Sequence, residues 1–302
     1  MAFGEDVRHE LVERPPRKAC CRDAFLSGLI RGAGTLEVRG GGELAVVVEL
    51  GDPAAVRAAF GLLRERGAEC EILSFREHRF DRSSRLLLNI HGDRGLQALH
   101  EIGVLSAALA PVDEPPRRLL GRACCRASYL RGAFVAGGSV AAPRRPAHLE
   151  LRAPTLEGAD LLCEIAARDG LDLRPLPRRN HAIAYTKRRE TVRDLLAAMG
   201  AHDAALSLDE AEVVSRTREQ ANRLTNCDRA NLGRASAAAH RQRQAIERLD
   251  VDRLDPDLRE AAELRLRYPD GSLAELAASA IPPLTKSALA RRMRALERAA
   301  GE

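Results

Sequence analysis

Residues 19–36 read ACCRDAFLSGLIRGAGTL, and residues 123–140 read ACCRASYLRGAFVAGGSV. The two stretches lie 104 positions apart. Ala19, Cys20, Cys21, Arg22, Leu26, Gly28 and Gly34 recur as Ala123, Cys124, Cys125, Arg126, Leu130, Gly132 and Gly138. Phe25 answers Tyr129, and Thr35 answers Ser139. A period of about 100 residues is too long for a solenoid and fits two half-domains packed about a pseudo-two-fold.

Working outward from the repeat, the two halves predict one order of elements. In the first, a helix from about Arg22 to Ala33 is stopped by Gly34 as a C′ residue. Leu36–Val38 and the apolar run Leu44–Leu50 form a hairpin turned at Gly40–Gly42. Asp52-Pro53 opens a helix, Glu69–Arg76 and Arg85–Ile90 read as strands, and Leu96–Ile102 as a helix. The second half replays this with helix Arg126–Ala136, strands near Val140 and His148–Arg152, and helix Leu156–Arg168. Strands near Asp172–Leu176 and Ala182–Thr186 and helix Glu190–Met199 complete it. The fold class is therefore α+β, a duplicated αββαββα unit. The halves span 1–110 and 111–209, divided by the prolines at 111, 115 and 116. A short amphipathic helix over residues 3–14, with Phe3, Val7 and Leu11 four apart, precedes them.

Residues 210–255 predict an Arg-rich helical linker interrupted at Asn226-Cys227-Asp228. Residues 256–302 predict an all-α domain with helices Leu258–Tyr268, Leu273–Ala280 and Lys286–Ala300. Ser272 with Glu275 is a capping-box pair, and Thr285 caps the last helix behind the turn Ile281-Pro282-Pro283-Leu284. This is helix-turn-helix spacing. Leu289, Met293 and Leu296 form the stripe that packs inward. From Lys286 to Arg298 the last helix carries five basic residues against one acid. In a recognition helix such residues meet base edges and grip phosphates. The candidate DNA-contacting residues are Ser272, Thr285, Lys286, Ser287, Arg291, Arg292 and Arg294, with Arg292 a flanking phosphate contact.

Composition narrows the function further. The chain has 302 residues, 48 Lys and Arg against 43 Asp and Glu, and 3% aromatics with no Trp. Too few aromatic faces exist for a base-stacking platform on single strands. Gly40–Gly42 lacks the following Lys-Ser/Thr of a phosphate loop. The seven cysteines include two Cys-Cys doublets but no C-x-x-C, which suits neither a disulfide framework nor the usual zinc spacing. They read as reduced, half-buried small hydrophobes, so no catalytic residue, metal or cofactor is expected. No apolar run is long enough to span a membrane and no signal pattern opens the chain, so a cytoplasmic, nucleoid-associated protein is expected.

Leu26–Gly34 and Leu130–Gly138 resemble the LAGLIDADG motif, and the order of elements resembles that of LAGLIDADG homing endonucleases. The resemblance implies two motif helices packed closely through small residues, with flanking sheets forming a saddle over DNA. Catalysis in that family depends on an acid at the eighth motif position, where a carboxylate holds a divalent cation. Those positions are Ala33 and Gly137, which carry no ligand atom, and the sixth positions are Arg31 and Val135. An active nuclease is thereby argued against, and a catalytically dead fold is expected.

The whole chain resembles the sporulation transcription regulator WhiA family. The strings that carry this are Arg17-Lys18-Ala19-Cys20-Cys21-Arg22, the stretch RLTNCDRAN at 223–231, Ser272-Leu273-Ala274-Glu275-Leu276 and Leu284-Thr285-Lys286-Ser287. The resemblance implies a sequence-specific DNA-binding regulator of sporulation septation, cell division and chromosome segregation. Its implied partners are double-stranded DNA and another transcription regulator or division protein, with no membrane and no small-molecule substrate. The alternative is a protein-binding scaffold of the division machinery with incidental DNA contact.

Overall fold

The computed structural model describes residues 3–76 and 84–301. The chain divides into two compact units, one ending at Val214 and the next beginning at Ser215.

The first unit opens with α1 (Phe3–Glu13), whose Val7 and Leu11 are fully buried, as their spacing predicts. The first half follows as α2 (Ala19–Ala33), β1 (Gly34–Val38), β2 (Leu44–Glu49), α3 (Pro53–Glu65), β3 (Cys70–Arg76), β4 (Ser84–His91) and α4 (Gly92–Glu101). A short α5 (Arg117–Leu120) leads to the second half, α6 (Ala123–Gly137), β5 (Ser139–Val140), β6 (Leu149–Ala153), α7 (Leu156–Ala167), β7 (Arg174–Pro177), β8 (Ala182–Thr186) and α8 (Arg189–Met199). Each half is thus the αββαββα unit that the duplication predicts. Its sheet is antiparallel with strand order β1-β2-β4-β3 in one half and β5-β6-β8-β7 in the other.

The two motif helices, α2 and α6, pack along each other at the centre of one continuous apolar core. Glycine makes this approach feasible. A Cβ placed on Gly28 would collide with the Tyr129 carbonyl oxygen, and one on Gly132 with the Phe25 carbonyl oxygen. Gly28 and Gly132, like Phe25 and Tyr129, are equivalent positions of the repeat. The contact is therefore reciprocal, as a pseudo-two-fold requires. One turn further on, a Cβ on Gly32 would lie 2.8 Å from that of Ala136.

Gly34 and Gly138 do end these helices, but not as left-handed C′ residues. Their backbones are extended (φ −86° and −76°) and lead straight into β1 and β5. Glycine is required there because a Cβ on Gly34 would sit 2.5 Å from the Ile30 carbonyl oxygen, and one on Gly138 against the Phe134 ring. The turn at Gly40–Gly42 does use positive φ, at Gly41 and Gly42.

Three arginines tie the unit together. Arg131 is buried on α6 and donates from Nε to the Leu11 carbonyl at 2.9 Å and from Nη2 to that of Arg14 at 2.5 Å. Arg8 of α1 donates to the Gly138 carbonyl at 2.8 Å. Arg31 donates to the carbonyls of Gly103 and Val112 (3.2 and 2.5 Å) and to the Tyr129 hydroxyl at 3.2 Å. The sixth motif position of α2 is thereby spent on bracing the connector after α4.

Where an interruption at Asn226-Cys227-Asp228 is expected, the structure has a single helix, α9 (His202–Glu247). The helix runs through these residues, and neighbouring side chains bond along it. Thr225 Oγ1 donates to the Ala221 carbonyl at 2.9 Å, and Asn231 Nδ2 reaches Cys227 Sγ at 3.6 Å. No proline falls in the segment to stop it.

The second unit continues from Ser215 along α9 and adds α10 (Pro256–Arg267), α11 (Leu273–Ala278) and α12 (Lys286–Ala299). Its core is Ile246, Ala261, Ala262, Leu264, Leu276, Ala277, Leu289, Met293 and Leu296. The last three are the predicted inward stripe of α12.

Candidate nucleic-acid interface

Within the second unit, a short helix, α11, precedes a longer basic one, α12, and each is started by a side-chain cap. Ser272 accepts from the Glu275 amide at 3.3 Å, and Glu275 Oε2 accepts from the Ser272 amide at 2.7 Å. This closes the capping box expected for α11. The hydrogen bond from the Ser272 backbone also holds the Glu275 carboxyl below its ordinary range. Thr285 accepts from the Ala288 amide at 3.2 Å and starts α12. The Leu284 amide donates to the Ala277 carbonyl at 2.9 Å, which closes the turn between the two helices.

Outside this frame, α12 sorts its residues by face. Leu289, Met293 and Leu296 are at most 1% exposed. Lys286, Ser287, Arg291, Arg294 and Arg298 are exposed. Arg294 Nε bonds its own helix at the Ala290 carbonyl (3.2 Å), which leaves the guanidinium end outward. Cationic groups over one exposed helix face can meet phosphates and the acceptor edges of bases. The first turn of α12 adds unpaired amides and the positive end of the helix dipole, which favour an anion.

The predicted contact residues do not all share that face. Ser272 and Thr285 are exposed, but their oxygens already accept capping bonds. Each retains a hydroxyl proton to donate. Arg292 has a different use. Its guanidinium bonds Glu260 Oε2 and Asp257 Oδ1, both at 2.7 Å, and so ties α12 to α10. The expected phosphate contact competes with two carboxylates that are already in place.

One residue that braces this frame escapes a sequence reading that looks for exposed cations. Arg265 is 2% exposed. Its Nε donates to Gln242 Oε1 at 3.1 Å, and its Nη1 to the carbonyls of Tyr268 and Gly271 at 3.3 and 2.7 Å. It thereby fixes the turn that delivers Ser272. Burial, then the charge of Arg243, pulls its pKa below the usual arginine value. The signal was present: Leu258, Ala261, Ala262 and Arg265 follow i, i+3, i+4, i+7 spacing, which puts an arginine on the buried stripe.

The sheets of the first unit present a different surface. Register places Thr35, Val47, Asn89 and Glu71 in one row, and Glu37, Ala45 and His91 in the next. On that outer face Glu37, Glu49 and Glu71 are exposed. Arg39 is paired with Glu37 at 3.3 Å and donates to Asn89 at 2.8 Å. Part of the expected saddle is thus acidic.

No helix among the described residues is long and apolar enough to cross a membrane. All seven cysteines carry free thiols.

Comparison with known proteins agrees along the whole chain. Residues 19–105 match the WhiA N-terminal LAGLIDADG-like domain, 126–218 the WhiA LAGLIDADG-like domain, and 221–300 the WhiA C-terminal HTH domain. The "probable cell division protein WhiA" of Heliobacterium modesticaldum is 37% identical over 98% of this chain and 95% of its own. That of Desulforudis audaxviator is 39% identical over 99% and 97%. Among solved structures, full-length DUF199/WhiA from Thermatoga maritima shares the fold with TM-score 0.60 at 24% identity, covering 100% of this chain and 98% of its own.

Proposed function

The chain belongs to the WhiA family, and from that premise we propose that it is a sequence-specific DNA-binding transcription regulator that binds without cutting. Its last helix, α12, enters the major groove. Lys286, Ser287, Arg291 and Arg294 contact DNA, and the hydroxyls of Ser272 and Thr285 reach flanking phosphates. Arg292 supports the helix from behind through Asp257 and Glu260. The observation that carries this reading is the exposed cationic face of α12 on a capped three-helix frame. Ala33 and Gly137, at the two helix ends where the nuclease pattern needs carboxylates, carry no ligand atom. A role in sporulation septation, cell division and chromosome segregation rests on the family resemblance. We further propose four regions: 1–110, 111–209, 210–255 and 256–302.

The acidic outer face of the first sheet favours a protein-docking role for the duplicated unit over a second DNA saddle. Another transcription regulator or a division protein is the partner class this implies.

The test is selection of binding fragments from genomic DNA by the full chain across a salt series. The double variant Arg291→Ala/Arg294→Ala should lose at least tenfold in preference for the selected site, since a good base contact is worth about 1–3 kcal/mol. Binding that never rises above a salt-sensitive background would overturn the proposal in favour of the scaffold.

A further inference from the structure

The two Cys-Cys doublets, 104 residues apart in the chain, meet in the fold. Cys20 and Cys21 lie in the first turn of α2, and Cys124 and Cys125 in the first turn of α6. Because α2 and α6 pack side by side in the same direction, their starts come together. The four Sγ atoms all lie within 4.8 Å of one another. Cys20 and Cys21 Sγ are 4.0 Å apart, and the Cys21 thiol donates to the Cys124 carbonyl at 3.6 Å.

We propose that these four cysteines form a binding site for a single thiophilic, tetrahedral divalent cation of the zinc class, which clamps the two halves of the duplicated unit. The geometry suits it. Four thiolates about zinc, with bonds of about 2.3 Å, stand roughly 3.8 Å apart along each edge. The thiols therefore need to close by no more than about 1 Å, within the reach of cysteine rotamers. Soft sulfur in a fourfold set selects zinc-class ions over the hard cations that carboxylates hold.

The surroundings suit the charge. A tetrathiolate site carries two net negative charges. Here it sits at two helix N-termini whose Ncap residues, Lys18 and Arg122, supply no side-chain cap. The four cysteines thus lie in the first turns of both helices, at the positive ends of their dipoles. Lys18 and Arg122 are the basic residues at the two helix starts, while Arg22 is engaged by Glu65 and Arg126 by Asp169. Binding releases the thiol protons, including the one Cys21 gives to Cys124.

The site lies at the opposite end of the helix pair from Ala33 and Gly137. It is thus distinct from the position where the nuclease pattern holds its metal. Neither doublet suggested zinc in the sequence because each supplies only half of the ligand set.

The experiment uses the reduced, metal-free full chain titrated anaerobically with Co2+ as the probe. One equivalent of tetrahedral cobalt, seen by its intense d–d bands and sulfur-to-cobalt charge transfer, is the expected result. Stoichiometric Zn2+ should bleach the bands. Cys20→Ser/Cys124→Ser should lose them while keeping the far-UV spectrum, and Cys227→Ser should keep them. Three outcomes would overturn the proposal. One is a folded, reduced chain with no tetrahedral band in excess Co2+. Another is bands that survive in the double variant. The third is a purified chain in which the doublets titrate as a disulfide and, once reduced, take up no metal.

Discussion

Gly132→Ala and Gly61→Ala are the same chemical change with opposite expected signs. At Gly132 an added Cβ overlaps the Phe25 carbonyl oxygen and lies 2.7 Å from the Leu29 amide nitrogen. Both are main-chain atoms of the facing helix and cannot rotate aside. Ordinary contact begins at 3.4 Å. The Phe25 carbonyl sets the requirement, so the helices must part by more than about 1 Å, and a gap of that size forfeits roughly half of each dispersion contact. Spread over the seam of Phe25, Leu29, Tyr129 and Ala133, this is the upper range of overpacking, about 3 kcal/mol. Alanine's helix propensity returns about 1 kcal/mol, leaving a net loss of about 2 kcal/mol. For a unit of roughly 200 residues that lowers Tm by about 4–8 °C. At Gly61, inside α3, nothing lies within 4 Å of the added Cβ. Only the propensity gain remains there, about 0.5–1 kcal/mol, and Tm rises. Thermal unfolding of the full chain followed by circular dichroism reads both. Gly28→Ala combined with Gly132→Ala should cost less than the two singly, since both demand the same separation. If Gly132→Ala melts no lower than the parent while Gly61→Ala stabilises, the close approach of α2 and α6 is refuted.

Other outcomes follow from single residues. Arg265→Met leaves Gln242 and two turn carbonyls without their donor and should destabilise the second unit by about 2–4 kcal/mol, read by urea unfolding. Arg292→Ala should cost about 1 kcal/mol of stability and leave DNA site preference unchanged; a loss of preference without loss of stability would restore its reading as a DNA contact. Ser272→Ala removes the cap of α11 and should cost about 1 kcal/mol, visible as faster amide exchange near Glu275. Cys163 is pushed up from 9.0 to about 11, first by burial and then by the charges of Asp160 and Asp172. The folded chain therefore keeps this proton where the unfolded chain has lost it. The resulting stability is full below pH 9 and is lost as pH rises towards 11, and Cys163→Ala should flatten that part of the alkaline decline.

Much of the fold was legible because it was written locally and twice. The apolar run Leu44–Leu50, the Asp52-Pro53 start and the Gly-rich motif helices each identify an element locally. The second copy then confirmed the order. The candidate interface was partly legible for the same reason, since Ser272, Thr285 and the Leu289–Met293–Leu296 stripe are short-range signals. Arg292 was not, because whether a basic side chain meets solvent or a carboxylate depends on α10, some 30 residues earlier. The continuity of α9 was missed because Asn226 and Asp228 are weak helix formers whose cost is small beside the long run around them.

The sequence by itself determined most of the elements, their duplication, the caps and the absence of acids at Ala33 and Gly137, because periodicity, capping and ligand chemistry are properties of neighbouring residues. Only the tertiary structure decided what lies across from what. It placed Gly28 against Tyr129, gave Arg31 and Arg265 to backbone carbonyls, and brought Cys20, Cys21, Cys124 and Cys125 to one point. Contacts between residues a hundred positions apart are set by how helices pack, and that packing leaves no mark in local spacing.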